Sequence, residues 1–437
     1  MTRLETEVST AAYSQGPEGL PRLLAGVRSD AALTLIEHGD THGPLPVLQI
    51  DALVDVLRAA GLRGRGGAAF PAATKLVAVA AGRAPRVVIA NGAEGEPASG
   101  KDEALLAGSP HLVLDGLVLA ARALRAREAI IAVERTRPRA LRAVAAAIDE
   151  RTSDGYDGVR LRIVPVPGRY VAGEESALVH LVDGGEAKPT VVPPRPFDRG
   201  VGGRPTLVQN VETLAHIALV ARHGPEWFRQ VGTFDEPGST LLTISGAVRR
   251  PGVLEVSPGA CFDTVIDAAG GELEPVEAYL VGGYYGTWIR RDDLASRPLS
   301  TASLRGVGGF LGAGVLVAMP AAVCGLAETA RVMGYLAEES AGQCGSCVHG
   351  LRSIADRTHE LAHRQTGASV LDDLDRWSGM VVGRGACRLP DGAVRFLSSA
   401  RRAFAAEVRL HQQGRCSATR RDPVLPLPGR DRDWSWR

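Results

Sequence analysis

Three cysteines stand at positions where they could share a ligand. Cys344 and Cys347 are separated by two residues, and Cys387 follows forty residues after Cys347. Two closely spaced thiols and a distant third, in a helical context, are typical of a metal site or a redox pair. Cysteine also packs well as a small buried hydrophobic residue, so the spacing alone leaves both interpretations open.

A glycine-rich segment, Gly61–Pro71, is the first of four motifs that suit a bound ligand. Its glycines allow the backbone to approach a flat ring or a phosphate, and exposed N–H groups bind anions. The segment follows a predicted helix rather than a strand, so the dinucleotide fingerprint of Rossmann folds does not apply. An ordinary glycine-rich turn is the competing interpretation.

Two acidic motifs follow predicted strands. Asn91–Pro97 comes directly after the apolar run Val87–Ala90, at the carboxyl edge of a sheet, where ligands of open α/β sheets bind. The amide of Asn91 suits a ribityl hydroxyl or a flavin carbonyl. Tyr170–Ala177 carries two adjacent glutamates at a predicted helix start, where the helix dipole stabilises them. A solvated acidic loop and simple dipole stabilisation are the alternatives to ligand binding.

The fourth motif, Gly203–Leu214, carries amide and hydroxyl side chains at a predicted turn into a helix. Such groups could seat a phosphate, although ordinary helix capping explains them equally well. Lysine usage adds a signal, because Lys75, Lys101 and Lys188 are the only lysines beside 47 arginines. Where arginine is the default, a retained lysine indicates a site that favours a compact ammonium.

Alternating strands and helices surround these motifs and predict a doubly wound α/β domain over residues 48–235. Short strands between glycine-rich turns predict a β-rich domain over residues 238–322. Helical periodicity beginning at Leu326 predicts a helical domain over residues 326–410. We expect residues 1–47 to form an arm with one short helix and residues 411–437 to form a mobile tail. The predicted elements of the first domain are strands 87–90, 129–133 and 161–166 and helices 48–60, 105–124 and 139–148.

Composition excludes several classes of protein. The 437 residues are 45% hydrophobic and 23% charged with a net charge of +1, which is globular and provides no field to gather nucleic acid. Six cysteines do not make a disulfide scaffold, and the first residues lack the apolar core of a signal peptide. Glycines and Pro320 interrupt the long uncharged run Gly306–Ala327. We therefore expect a cytoplasmic protein without a membrane span, either free or peripheral to a membrane complex.

Together and in this order, the motifs resemble those of one family. GLRGRGGAAFP, NGAEGEP with a following KD, YVAGEESA, KP with PTLVQNVETL, and ESAGQCGSC are similar to motifs of the flavoprotein subunit of respiratory complex I. The diaphorase subunits of NAD-linked hydrogenases and formate dehydrogenases share them, and the resemblance covers about residues 50–410. It implies an α/β fold with a Rossmann-like FMN/NAD domain, a ubiquitin-like β-grasp domain of the soluble-ligand-binding type, and a helical [4Fe–4S] domain. In that family NADH gives a hydride to FMN, and single electrons pass to the cluster.

The resemblance also implies which residues form the site. It assigns no catalytic side chain, because the cofactor carries the chemistry. Glu96 and Glu175 would orient the nicotinamide, Phe70 would stack on the dinucleotide, and Asn91 would hold the ribityl-phosphate. The full implied cofactor-binding set is Gly64, Arg65, Gly66, Gly67, Phe70, Lys75, Asn91, Glu94, Glu96, Tyr170, Gly173, Glu174, Glu175, Gln209, Asn210 and Thr213.

The chain departs from the family pattern at the cluster. The matching ligands are Cys344, Cys347 and Cys387, but Ala341 stands where the family has a fourth cysteine. A [4Fe–4S] cube normally takes four thiolates. The alternatives left open are a cluster with an open iron, no cluster, or a fourth ligand recruited from His349, Cys324 or Cys416.

The chain also departs from the pattern around the nucleotide. Ala93 replaces an aspartate that contacts the flavin, and Ala78 and Arg195 stand where the family has two aromatic residues that embrace the dinucleotide. Each lost aromatic contact is worth about 0.5–1.5 kcal/mol beyond area burial. We hypothesise that Arg195 reads a 2′-phosphate instead, which predicts a preference for NADPH over NADH.

The function that the motifs favour is an NAD(P)H-oxidising FMN flavoprotein. It would pass electrons through an iron–sulfur centre to a partner, either other redox subunits or a ferredoxin. The alternatives are a cluster-free flavin diaphorase and a degenerate scaffold that binds no flavin. The retained glycine loop, Lys75, Asn91 and Asn210 argue against the scaffold.

Overall fold

A computed structural model describes residues 19–28, 31–83, 85–364, 369–429 and 432–437. Within them the chain begins as a segment that carries one short helix, as expected for the arm, of which residues 1–18 lie outside the described residues. The first half of the chain surrounds a parallel sheet with helices. These helices are Leu35–His42, Ile50–Ala60, Ala72–Ala81, Lys101–Gly108, Pro110–Ala123, Pro138–Ser153, Glu175–Val182, Pro196–Arg199 and Val211–Arg229.

The first sheet contains four parallel strands in the spatial order β3-β2-β1-β4. The three strands predicted from apolar runs are present, and the fourth was missed because its short polar-ended run was interpreted as a turn. Burial on both faces explains the apolar runs, since a parallel sheet is covered by helices on each side. The strands are β1 Val87–Gly92, β2 Glu128–Glu134, β3 Arg160–Val166 and β4 Thr206–Asn210.

The strand order places a topological switch point between β1 and β4. The chain moves outward from β1 to β2 and β3, and then returns to the other side of β1 to form β4. At such a point the following loops turn to opposite faces of the sheet and leave a crevice at the carboxyl ends, where ligands of open α/β sheets bind. The second and fourth sequence motifs lie on this edge.

The helix expected over residues 105–124 is two helices. Lys101–Gly108 and Pro110–Ala123 meet at Ser109 with a bend of 94°. Pro110 disfavours a helical conformation at the residue before it and begins the second helix well. Among the described residues no single helix has the length and apolarity to cross a membrane, although this bent pair would pass by length and composition alone.

A second, mixed sheet follows in the order β6-β5-β9-β7-β8. β5 and β9 run parallel, and the other neighbouring pairs are antiparallel. The strands expected at residues 240–244, 252–256 and 278–281 are all present. The strands are β5 Thr240–Gly246, β6 Gly252–Val256, β7 Val276–Val281, β8 Thr287–Arg290 and β9 Val315–Pro320, with helices Phe262–Ala268, Arg291–Leu294 and Thr301–Arg305 between them.

The last part of the described chain is helical and shares a hydrophobic core with one face of the second sheet. The uncharged run at residues 306–327 is a strand, a turn and the start of a helix, as expected. The helices are Gly325–Glu338, the π-helical turn Ser346–Leu351, Arg352–Ala362, Val370–Val381, Leu389–Ala403 and Ala405–Gln412.

The expectation of a mobile C-terminal tail was wrong for the described part of it. Leu425 is buried, and the backbone N–H groups of Val424 and Leu425 donate to the carboxylate of Glu328 at 2.8 and 2.7 Å. Further on, the Arg169 guanidinium stacks over the Trp436 ring at 4.0 Å. The sequence misled because its many Arg, Asp and Pro residues hide a few apolar anchors, and those anchors fit grooves that only the folded chain provides.

Candidate functional site

Asn91 and Asn210 lie side by side at the carboxyl edge of the first sheet. They are register partners at the ends of β1 and β4. Asn91 Nδ2 donates to the Gly173 carbonyl at 2.8 Å, and Asn210 Nδ2 donates to Asp102 Oδ2 at 2.7 Å. The second, third and fourth motifs therefore meet at the switch point.

The glycine-rich segment folds as a closed loop. A backbone bridge joins Arg63 to Pro71, and the Gly64 N–H donates to the Phe70 carbonyl at 2.8 Å. Gly67 adopts φ +96°, a conformation that side chains disfavour. The Phe70 ring remains 48% exposed, so the loop presents open backbone beside an unpacked aromatic face.

This loop is anchored against the end of β4. The Arg65 N–H donates to Thr213 Oγ1 at 2.8 Å, and a Cβ at Gly66 would lie 3.3 Å from the Cβ of Asn210. The Arg65 guanidinium turns away from the cleft and donates to the Pro237 carbonyl at 3.0 Å. Burial lowers the pKa of that guanidinium. The loop itself, and not the Arg65 charge, therefore faces the switch point.

Lys75 connects the first motif to the third and fourth. It projects from the helix Ala72–Ala81, donates to the Val208 carbonyl at 3.1 Å, and forms an ion pair with Glu175. The Lys75 side chain is partly exposed, so this ammonium lies at the cleft rather than in the core. It is a cation available to an anionic ligand at the loop.

Two of the implied acidic residues are occupied by helix capping. The carboxylate of Glu94 is buried and accepts from the Ser99 hydroxyl at 2.5 Å and from the Asp102 and Glu103 N–H groups at 3.1 Å. Glu174 accepts from two N–H groups at the start of its own helix. Both side chains therefore shape the cleft by fixing helix ends, as the capping alternative holds.

Glu96 connects the cleft to the second sheet. Its carboxylate accepts from the Tyr170 hydroxyl at 2.8 Å, the Tyr284 N–H at 2.7 Å and the Ala98 N–H at 3.2 Å. Burial raises the pKa of Glu96 to about 7. Tyr284 follows β7, so this carboxyl group holds the two sheets together beside the candidate site.

Under the cleft lies a buried ionic cluster that sequence reasoning did not predict. The Lys101 ammonium contacts Asp102 Oδ1 at 2.6 Å and Glu212 Oε2 at 2.9 Å. Burial alone lowers the pKa of Lys101, but these two carboxylates outweigh it and raise that pKa. Lys101 is therefore a structural cation, while its partner Asp102 positions the Asn210 amide.

The second sheet also contributes backbone that was not predicted. A Cβ at Gly67 would lie 3.6 Å from the carbonyl oxygen of Gly312, so the loop before β9 approaches the glycine loop. A Cβ at Gly173 would lie 2.6 Å from the carbonyl of Ala93, which closes the opposite wall tightly. The only sequence signal for the first approach was the density of glycine between residues 306 and 314.

These observations match the shape and chemistry that FMN requires. The cleft offers glycine backbone on one wall, one ammonium, two asparagine amides and an exposed aromatic ring. The buried amide nitrogen of Gln209 has no partner among the described residues, and it lies on the strand that ends at Asn210. An unsatisfied donor beside an open cleft is expected where a polar ligand belongs.

Ala78 and Arg195 flank the Lys75 side of the cleft. The helix that carries Lys75 and Ala78 packs against the short helix Pro196–Arg199, which Arg195 immediately precedes. Arg195 is exposed, as a side chain that reads a solvent-facing phosphate has to be. Ala78 leaves no aromatic surface on its helix face.

The three matching cysteines lie together in the helical part. Cys344 and Cys347 lie one turn apart in one segment, with the Cys347 N–H donating to the Cys344 carbonyl at 3.1 Å. Burial, reinforced by Cys344 and Cys387, raises the pKa of the Cys347 thiol to about 12. Ala341 packs at the edge of the same hydrophobic cluster. Three neighbouring thiols fit a cluster, and the position expected for a fourth carries a methyl group.

Two of the proposed replacements for the fourth ligand are in the wrong place. Cys324 precedes the helix Gly325–Glu338 and Cys344 follows it, so about 20 Å of helix separates them. Cys416 lies with Cys324 at that far end. His349 is exposed on the π-helical turn two residues after Cys347 and remains a candidate ligand.

Comparisons with known proteins agree with this arrangement. Residues 57–219 match the family described as the Nuo51 FMN-binding domain, and residues 327–411 match the NADH-ubiquinone oxidoreductase-F iron-sulfur binding region. Residues 241–282 match the SLBB domain. The class of protein that the fold and the cleft define is thus a flavoprotein with an iron–sulfur region.

Whole-chain relatives identify the family. An F-type subunit of NADH-quinone oxidoreductase from Rhizobium meliloti is 32% identical over 84% of this chain and 90% of its own length. The F-type subunit from Mycobacterium bovis is 30% identical over 87% of this chain and 89% of its own length. This chain belongs to the family of F-type subunits of NADH-quinone oxidoreductase, which confirms the resemblance seen in the motifs.

A solved structure shares the fold. The NAD+-reducing [NiFe]-hydrogenase in its H2-reduced state superposes with a TM-score of 0.78 at 31% identity, over 83% of this chain. This chain spans 63% of the matched hydrogenase chain. The expected mixed α/β class with a parallel sheet and a second sheet is confirmed.

Proposed function

We propose that this chain is an FMN-dependent NADH dehydrogenase that passes electrons to an iron–sulfur centre. One observation carries the proposal: four separate sequence segments converge at the switch point between β1 and β4, around Asn91 and Asn210. Family membership supports it, because the matched regions are an FMN-binding domain and an iron–sulfur binding region.

FMN, when bound, supplies two-electron chemistry toward NADH and one-electron chemistry toward the cluster. The chain's own residues bind and orient. Gly64, Gly66 and Gly67 admit the ring against backbone, and Lys75 balances negative charge at the cleft. The amides of Asn91, Gln209 and Asn210, with the Thr213 hydroxyl behind the loop, position the ribityl-phosphate side.

On the nicotinamide side we assign Glu96, Tyr170 and Glu175, with Phe70 stacking on the dinucleotide. Tyr170 and Glu96 are hydrogen-bonded to one another, so they would act as one rigid wall. Glu175 is paired with Lys75 and lies one residue beyond the capped helix start at Glu174. Arg65, Glu94 and Gly173 shape this cleft through backbone and capping contacts.

We also propose a three-part organisation. Residues 48–235 would be the Rossmann-like FMN/NAD domain, 238–322 the β-grasp domain and 326–410 the helical iron–sulfur domain, with residues 1–47 and 411–437 as flanking segments. Cys344, Cys347 and Cys387 would ligate the cluster. Partners would be other redox subunits or a ferredoxin, and the site would be cytoplasmic, either free or peripheral to a membrane complex.

A cluster-free diaphorase is the second candidate function, and Ala341 is the observation that favours it. Both candidates share the flavin site and differ in iron. Metal analysis of anaerobically purified protein separates them, because the diaphorase would contain near-zero iron and sulfide.

The test of the proposal is the visible absorption spectrum of the anaerobic, FMN-reconstituted protein before and after NADH. We expect a bound-flavin spectrum that bleaches on addition of NADH. Gly66→Val should abolish flavin binding, because its side chain would meet the Cβ of Asn210. Gly158→Ala is the matched control, since nothing lies within 4 Å of its Cβ position. A wild-type protein that cannot be reconstituted would support the non-catalytic scaffold and contradict the proposal.

A further inference from the structure

Four potential metal ligands lie together at a place unrelated to the candidate cofactor cleft. One donor atom from each of Cys324, Glu407, His411 and Cys416 lies within 4.8 Å of the other three. We refer to these four residues as the C-terminal cluster. Three of them are buried and Cys416 is half-buried, so the donors face one another rather than solvent.

Three parts of the chain bring these donors together. Cys324 ends the connection from β9 and caps the helix Gly325–Glu338. Glu407 and His411 are one turn apart on the helix Ala405–Gln412, so their side chains share one face. Cys416 follows the turn that ends this helix. The convergence therefore depends on tertiary packing, not on a local sequence motif.

The orientation of His411 points its free nitrogen at the cluster. Its Nδ1 lies 3.0 Å from the carbonyl oxygen of Leu361, which can only accept, so Nδ1 carries the proton. Nε2 lies 3.0 Å from Glu407 Oε1 and 3.5 Å from Cys324 Sγ. A lone pair that faces a carboxylate at this distance requires a cation between them, either a second proton or a metal ion. A histidine fixed by a carbonyl on its other nitrogen is the usual arrangement for a metal ligand.

The spacing suits one tetrahedral ion. Zinc binds sulfur at about 2.3 Å and nitrogen or oxygen at about 2.0–2.2 Å, which sets ligand–ligand separations of roughly 3.3–3.8 Å. The observed His411–Cys324 separation of 3.5 Å falls in that range, and the His411–Glu407 separation of 3.0 Å is a few tenths shorter. The bound sulfurs of an iron–sulfur cube are separated by several iron–sulfur bonds, so this compact group fits a single ion better.

Both sulfurs are also placed as thiolates would be. The Ala327 N–H donates to Cys324 Sγ at 3.4 Å, at the positive end of a helix. Cys416 likewise accepts a hydrogen bond from the backbone at Ala418. Backbone donors aimed at two sulfurs, with an imidazole and a carboxylate alongside, leave one missing element, which is positive charge.

We propose that the C-terminal cluster binds one zinc ion as a structural site. Two cysteines, one histidine and one carboxylate form a donor set that zinc accepts, and four protein ligands leave no open position for substrate. On binding, the two thiols release their protons to solvent and the thiolates ligate the ion. The site is independent of the flavin cleft and of the thiols at Cys344, Cys347 and Cys387.

The zinc would fasten the C-terminal segment to the body of the protein. Beyond Cys416, the N–H groups of Thr419 and Arg420 both donate to the Ala322 carbonyl, at 3.0 and 2.9 Å. The segment then continues to the buried Leu425 and to Trp436, which stacks on Arg169. Loss of the ion would therefore loosen a segment that reaches the residue before Tyr170.

The experiment measures zinc and iron together, by inductively coupled plasma mass spectrometry, in the full-length protein expressed with added zinc and dialysed. We expect about one zinc per chain. Cys416→Ser and His411→Ala should each lose it, while Cys261→Ser, a free cysteine outside the cluster, should retain it. Far-ultraviolet circular dichroism confirms that each variant is folded, and the milder Glu407→Gln replaces His411→Ala if that variant is not.

A second variant excludes adventitious zinc at the other thiols. The triple change Cys344→Ser, Cys347→Ser and Cys387→Ser removes the candidate iron ligands and should leave the zinc in place. Cobalt added to the metal-free protein should give the visible absorption of tetrahedral thiolate coordination, and Cys416→Ser should lose it. Zinc that disappears with the triple change but survives Cys416→Ser would overturn the proposal. So would metal-free protein that binds neither ion, or a Cys324–Cys416 disulfide in the intact mass of freshly alkylated protein.

Discussion

The side chain of Asn210 links the helix after β4 to the end of β1. Its Oδ1 accepts from the Glu212 N–H at 3.0 Å and so caps the helix Val211–Arg229, while its Nδ2 faces Asp102 and the Asn91 carbonyl. One residue thus serves helix stability and the candidate cleft at once. The two roles are separable, because a cap needs only an acceptor and the cleft needs the amide.

Asn210→Ser and Asn210→Ala should separate these roles. Serine keeps a capping oxygen, so its free energy of unfolding should stay near that of the wild type, whereas alanine should lose about 1 kcal/mol. Both should weaken FMN binding roughly tenfold, through loss of the amide donor. Denaturant titration and flavin fluorescence quenching measure the two quantities. Wild-type FMN affinity in Asn210→Ser would show that the amide does not contact the cofactor.

Removal of the Lys75 ammonium should affect flavin binding more strongly. A charge-assisted hydrogen bond is worth about 1.5–3 kcal/mol, so Lys75→Ala should bind FMN roughly 10- to 100-fold more weakly. Riboflavin, which lacks the phosphate, reports whether the loss depends on ligand charge. Arg83→Ala is the matched control, because Arg83 is exposed just beyond the same helix. Equal losses in the two variants would contradict a role for Lys75 at the cleft.

The buried Glu96 carboxyl should make stability fall as pH rises. Its pKa of about 7 in the folded protein lies above the ordinary value of 4.5, so the folded state holds a proton that the unfolded state has released. Stability should therefore decrease between about pH 4.5 and 7 and level off above, by about 1.4 kcal/mol for each unit of pKa difference.

Glu96→Gln isolates this contribution from other titrating groups. The variant cannot ionise, so the wild-type minus variant difference in free energy of unfolding should decline across that pH window and stay constant above it. Denaturant unfolding at half-unit pH steps measures this difference. A difference that is flat from pH 4.5 to 8 would mean that Glu96 is charged in the folded protein throughout.

Ala341→Cys should supply the thiolate that the family pattern expects. We expect the variant to hold about four irons per chain and to lose them to a chelator more slowly than the wild type does. Ala337→Cys, one helical turn earlier, adds a thiol outside the cysteine segment and should have no effect. Iron and sulfide analysis with electron paramagnetic resonance after dithionite measures the outcome. Unchanged iron content and chelator sensitivity would show that position 341 does not face a cluster.

Arg195 should favour the phosphorylated nucleotide. Arg195→Ala should lower kcat/KM for NADPH at least tenfold relative to that for NADH, because a guanidinium–phosphate contact is charge-assisted. Arg199→Ala, exposed on the same short helix, should leave the ratio unchanged. A wild type that prefers NADH, together with an Arg195→Ala variant of unchanged kinetics, would remove the hypothesis.

Much of the α/β part was predictable because its signals are local. Buried parallel strands produce continuous apolar runs such as Val87–Ala90, and the helix Ile50–Ala60 has both an apolar face and the closing glycine. The ligand-binding motifs were recognisable individually. β4 was missed because five residues with polar ends resemble a turn until their pairing with β1 is known.

The sequence by itself determined the family, the order of the motifs and the loss of one cluster cysteine, because those are properties of residue type and spacing. Only the tertiary structure decided which side chains meet. It occupied Glu94 and Glu174 with helix ends, buried Lys101 among carboxylates, and brought Cys324 to Cys416 across the helical core. The physical reason is that hydrogen bonds and ion pairs between distant segments form only after hydrophobic packing has set their positions.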